Sequence, residues 1–108
     1  MTKIEFLKKL FKTEDVKSAG CGQCYYVNNS TVWVDNLRGG RMSVKVKPYR
    51  DKEQAERVGK LLWNSLMDMN YPVDAATKVD VYRCYKYGLG MEIWRWAVRL
   101  RCDKPNLG

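Results

Sequence analysis

The segment from Glu92 to Cys102 separates two kinds of chemistry by position alone. Trp94, Trp96, Val98 and Leu100 occupy its even positions, and Arg95, Ala97, Arg99 and Arg101 its odd ones. Strand side chains alternate between faces, so one face is apolar and the other strongly cationic. The apolar face can join a core. The cationic face must meet water or an anion, which points to a nucleic acid or an acidic protein surface. Met42, Val44 and Val46 alternate with Ser43, Lys45 and Lys47 in the same way.

The cysteines carry the other potential chemistry. Cys21-Gly-Gln-Cys24 has the spacing of a half zinc site or a redox pair. For zinc, Cys84 and Cys102 would have to complete four thiolates. In a hairpin that sets Cys84 across from about Trp94, Cys102 lies eight residues further on, roughly 27 Å away at ~3.4 Å per residue. Ligands held by ~2.3 Å bonds cannot span that distance. A thioredoxin-like pair follows a strand and opens a helix, whereas this one precedes a strand in a Gly-containing loop. The expectation is therefore loop thiols plus buried cysteines acting as small apolar residues, with no metal and no cofactor. A disulfide joining Cys21 to Cys24, or either to Cys102, stays open under oxidising conditions.

The chain has no histidine. That removes the commonest general base and every imidazole metal site. Its carboxylates are scattered: Glu53 and Glu56 fall in the first turns of a helix, where the dipole accounts for them. Asp74 and Asp80 flank the start of a strand. No phosphate-binding glycine signature and no serine elbow is present. The expectation is a protein that is not an enzyme and has no catalytic residues.

These residues need elements to position them. Thr2-Lys-Ile-Glu5 reads as a capping box, and Ile4, Leu7, Leu10 and Phe11 follow at helical spacing, giving a short helix over 3–12. Residues 13–23 are polar and read as a linker. Tyr25–Val27 and Thr31–Val34 are strand-like, with Asn28-Asn-Ser30 as a turn or bulge. Asp35 to Gly40 is a turn, and Met42–Lys47 is the return strand. Asp51-Lys-Glu-Gln54 resembles a second cap and opens a helix over 51–70, stopped before Pro72. Ala55, Val58, Leu61, Leu62, Leu66 and Met69 form its core stripe, with Trp63 and Met67 beside it. Val79–Tyr87 and Met91–Cys102 form a hairpin around Gly88-Leu-Gly90. A three-residue loop sets Tyr82 opposite Trp96, Lys86 opposite Glu92 and Arg83 opposite Arg95. Like charges directly opposed call for an anion between them.

The expected fold is α+β: an antiparallel sheet of four to five strands, packed on one face by a central helix (51–70), with a short N-terminal helix. One domain spans 1–108, with its sheet-plus-helix core over 24–102. With 108 residues, 45% of them hydrophobic, the chain can bury a real core. It carries 20 Lys and Arg against 12 Asp and Glu, a net charge of +8 that draws anionic partners over distance. No apolar run reaches the ~18 residues of a membrane span. Lys8, Lys9 and Lys12 interrupt any signal-peptide core, so a cytoplasmic protein with no membrane partner is expected. The sequons at Asn28 and Asn29 then read as turn residues.

Two functions fit. The first is a non-catalytic nucleic-acid-binding domain whose solvent-facing sheet residues are Lys45, Lys47, Arg83, Tyr85, Tyr87, Arg95, Arg99 and Arg101. Cations neutralise phosphates and aromatic faces stack on unpaired bases, so single-stranded DNA or RNA is favoured. No recognition helix is evident, because the long helix commits its best face to the core. The second is a protein-interaction module binding an acidic protein surface, such as a phage or mobile-element inhibitor of a host nuclease or defence complex. Trp33, Trp63 and Met67 would be its anchors.

Overall fold

The computed structural model describes residues 1–20, 22–88 and 91–105, and of residues 86–88 and 91–93 the backbone alone. Among these residues two α-helices, α1 (Lys3–Phe11) and α2 (Lys52–Asp68), accompany six strands: β1 (Val16–Ser18), β2 (Cys24–Val27), β3 (Ser30–Leu37), β4 (Arg41–Tyr49), β5 (Lys78–Gly88) and β6 (Met91–Asp103). They form one antiparallel sheet in the order β1-β2-β3-β4-β6-β5. The fold class is α+β, with the central helix packed on the sheet, as expected.

The strand count is six rather than four to five. The additional strand, β1, lies inside the stretch read as a linker over 13–23. Val16 and Ser18 pair with Val27 and Tyr25. Three residues with one apolar side chain carry no measurable period, so only the tertiary pairing identifies this strand.

Local chemistry explains the connections. The Thr2 hydroxyl accepts from the Glu5 amide at 3.1 Å and caps α1. Asp51 sits at the N-cap of α2, but its side chain makes no capping hydrogen bond, contrary to the expected box. Asn28 and Asn29 both have positive φ, +49° and +67°. That is what a tight two-residue hairpin turn requires, and Val27 pairs with Ser30 across it. Gly39 and Gly40, both at φ +74°, turn β3 into β4.

The core lies between the sheet and α2. Alternate strand residues line up across four strands: Val32, Val46, Val98 and Val81 in one row, Val34, Val44, Leu100 and Val79 in the next. α2 covers these rows with Ala55, Leu62 and Leu66, and α1 adds Phe6, Leu7 and Leu10. Val58 and Met69 are partly buried against the cluster. Leu61, placed in the stripe by sequence, is exposed with Trp63 and Met67. Leu61 stands about 100° round the helix from Leu62, which carries it off the sheet-facing side.

Gly59 supplies the close approach. A Cβ built there would lie 3.1 Å from Val79 Cγ1. Gly59→Leu is expected to lower stability by about 1–3 kcal/mol through overpacking, read as a lower thermal midpoint. A midpoint equal to wild type would contradict close packing of α2 on β5.

The hairpin register differs from the expectation by one residue. Gly88 pairs with Met91, leaving Leu89 and Gly90, outside the described residues, between them. Arg83 therefore faces Trp96 rather than Arg95, Tyr82 faces Ala97, and Tyr87 faces Glu92. A one-residue slip sends every β5 side chain to the other face. Val79 and Val81 turn inward, and Lys78, Asp80, Tyr82 and Cys84 turn outward beside the arginines of β6.

Candidate functional site

The sheet face away from α2 is built of rows of four. Trp33, Lys45, Arg99 and Asp80 form one row, and Asp35, Ser43, Arg101 and Lys78 the next. Leu37, Arg41 and Asp103 follow. Ser43 is short and buried amid long chains. The long neighbours rise around it and leave a trough of about 630 Å³. Its cationic lining is Arg38, Arg41, Lys45, Lys78, Arg99 and Arg101.

Four carboxylates answer four of these six cations. Arg41 is held firmly, at 2.9 Å from Asp103 and 3.1 Å from Asp74. This pairing ties the end of β4 to the loop that precedes β5. Asp74 also accepts from the Ala76 and Thr77 amides. Those backbone bonds chiefly, with the Thr77 hydroxyl and Arg41, hold its carboxyl below the usual range. The other contacts are long: Lys45 to Asp35 at 3.8 Å, Lys78 to Asp80 at 3.9 Å and Arg99 to Asp80 at 3.7 Å. Charged hydrogen bonds run at ~2.7–2.9 Å, so an entering phosphate can offer these groups shorter partners. Arg38 and Arg101 have no carboxylate partner among the described residues. Arg41 Nη2 and Arg99 Nε are buried with no hydrogen-bond partner among the described residues. Each keeps donor capacity that an anion can take up.

Aromatic groups adjoin the trough. The Arg99 guanidinium lies over the Tyr82 ring, 5.4 Å from its centre. Burial pushes the Tyr82 hydroxyl upward, opposed in part by the Arg99 charge. Further along the same face a smaller cleft of about 240 Å³ is lined by Thr31, Trp33, Lys47, Pro48, Cys84 and Tyr85. It lies where the pairing of β4 with β6 is interrupted between Val46 and Tyr49.

The residues expected to form the site are thus divided. Lys45, Arg99 and Arg101 line the trough, and Lys47 lines the adjoining cleft. Arg95 stands opposite Cys84, further out on β6, and donates to the Trp94 carbonyl at 2.9 Å. Arg83 does not join them. The register slip puts it with the tryptophans, 5.2 Å from the Trp94 ring centre and 5.5 Å from that of Trp96. Tyr85 pairs with Trp94 and meets it edge-on at 4.5 Å, while also bordering the cleft. The Tyr87 side chain lies outside the described residues.

Sequence reasoning missed Arg38, Arg41 and Lys78. Arg38 and Arg41 bracket the paired glycines of the β3–β4 turn, a signal available but read as turn chemistry alone. Lys78 was hidden by the hairpin register. Trp33 was assigned to a protein interface, although the period-2 pattern of β3 already separated it from Val32 and Val34.

Among the described residues Cys84 and Cys102 are free thiols, and no group of three or more ligating side chains could hold a metal ion. Cys21, and with it the Cys21–Cys24 pair, lies outside the described residues. Burial pushes the Cys102 thiol up to about 12, offset in part by Arg41. A raised thiol pKa keeps the sulfur protonated, and the thiolate is the nucleophile. Cys102 is therefore expected to resist iodoacetamide near neutral pH until the protein unfolds, while half-buried Cys84 reacts first. Mass-spectrometric mapping checks this, and early labelling of Cys102 would contradict its burial.

No helix among the described residues is long and apolar enough to cross a membrane. Comparison with family models, with curated proteins and with solved structures finds no match to this chain.

Proposed function

We propose that the protein binds nucleic acid, without catalysing a reaction on it, through the cationic face of its sheet. The reading rests on one observation: six cations line a single trough, and two of them have no carboxylate partner among the described residues. Salt-dependent neutralisation of backbone phosphates is the chemistry such a lining performs. Single strands are favoured over duplex because Trp33 and Tyr82 lie among the cations, where unpaired bases can stack. α2 commits its apolar side to the sheet and offers no groove-reading face. The free thiols of Cys84 and Cys102 suit a reducing compartment, and the cytoplasm is the compartment of this reading.

Lysine footprinting tests the location. A bound single-stranded oligonucleotide is expected to slow acetylation of Lys45, Lys47 and Lys78 several-fold. Lys9 and Lys60, on the two helices, are expected to react as in the free protein. Protection of Lys9 and Lys60 with Lys45 and Lys78 left reactive would move the site elsewhere.

A second reading, a protein partner, is favoured by a different feature. A groove of about 420 Å³ runs between α2 and the edge strand β5, lined by Glu56, Gly59, Lys60, Trp63, Val79 and Val81 among others. An exposed tryptophan beside an open sheet edge suits an added strand with an apolar side chain. Such binding would be far less sensitive to salt than phosphate binding.

A further inference from the structure

The cleft beside the trough has a composition of its own. Five of its six lining residues are uncharged, the sixth is Lys47, and none is a carboxylate. Trp33 forms one wall and is 38% exposed, so part of its ring is open to a ligand. The volume of about 240 Å³ falls below the ~300–1,000 Å³ that encloses a drug-sized ligand. It suits one planar ring system.

The cleft continues the trough. Trp33 pairs directly with Lys45, which lines the trough. Lys47 lies two residues further along β4 and lines the cleft. Same-face neighbours on a strand are about 7 Å apart, so the track passes from cationic to aromatic within one step of a polynucleotide chain. Trp33 stands in one row with Lys45 and Arg99. A base seated against the indole would keep its own phosphate within reach of those two cations.

We infer that the Trp33 cleft is a seat for one unpaired nucleobase, and that the trough holds the phosphates flanking it. This rests on the reading of the trough as a phosphate site. A base can enter the cleft only when it is free of a pairing partner, so the seat selects single strands. Stacking on an aromatic face is tolerant of base identity, so the seat selects strandedness more than sequence. An aromatic side chain of a protein partner would fill the same volume, but would not need the phosphate-binding cations beside it.

The test compares wild type, Trp33→Ala and Trp33→Phe for binding to oligo(dT) and to a duplex of matched length, at one low salt concentration. Trp33→Ala is expected to lose about tenfold or more on oligo(dT) and to keep its duplex affinity. Trp33→Phe is expected to retain most single-strand affinity. Cys84→Phe, which fills the cleft from the opposite wall, is expected to match Trp33→Ala and serves if that variant does not fold. Unchanged oligo(dT) affinity in Trp33→Ala or in Cys84→Phe would overturn the base seat. So would an equal loss on both polymers. Wild-type protein that binds neither polymer would overturn the phosphate reading itself, and the seat with it.

Discussion

Arg38→Glu combined with Arg101→Glu is expected to weaken binding to single-stranded nucleic acid by at least about 100-fold at low salt. Two charged hydrogen bonds at ~1.5–3 kcal/mol each account for that size before repulsion is added. Both arginines line the trough, and neither has a carboxylate partner among the described residues. Their replacement therefore breaks no ion pair among the described residues, and the thermal midpoint is expected to stay near wild type. The change also lowers the net charge, so a matched control is needed. Lys9→Glu with Lys60→Glu makes the same change on the helices and is expected to retain binding within a few-fold. Equal losses in the two double variants would reduce the effect to bulk charge. Full affinity in Arg38→Glu/Arg101→Glu would remove the trough from the account. Arg95→Glu with Arg99→Glu is a weaker choice, because Arg99 also pairs with Asp80 and covers Tyr82.

The largest expected loss of stability is from Leu100→Ala. Leu100 is fully buried, in the row with Val34, Val44 and Val79 on the sheet face that carries the core. Removing its branched end costs ~2–5 kcal/mol, the transfer term plus the cavity left behind. A chain of this size has roughly 5–15 kcal/mol in total. The thermal midpoint is expected to fall by at least about 10 °C. Leu100 faces away from the trough, so the protein that remains folded in the cold should bind as wild type does. A midpoint within a degree or two of wild type would contradict the position of the core. Leu62→Ala, fully buried on α2, is expected to behave alike.

Much of this arrangement was legible in the chain. The two periods of β4 and β6 separated apolar from cationic faces, and Val98, Leu100 and Cys102 lie buried as the alternation requires. The helical spacing of Ala55, Leu62 and Leu66 located α2 within two residues at each end. Thr2 announced the start of α1. These signals are local, repeated and tied to burial.

What failed was information that is not local. The β5–β6 register turns on whether two or three residues close the hairpin, and Gly88-Leu-Gly90 permits either. That single residue decided that Arg83 stacks with Trp94 and Trp96 and that Lys78 joins the trough. Strand β1 is too short for any period, and its partner strand alone defines it. The trough also needed knowledge of depth. Ser43 reads as one more polar residue in the sequence, but as a short buried side chain it leaves room for the cations around it.

The most direct test of the account is the salt dependence of wild-type binding to labelled single-stranded oligonucleotides. Three to six phosphate contacts predict a log–log slope of about −2 to −4, at ~0.7 per contact for single strands. A slope in that range, made shallower by Arg38→Glu/Arg101→Glu, is the expected result. No binding at low salt, or binding that salt leaves unchanged, would contradict the account and direct attention to the Trp63 groove and a protein partner.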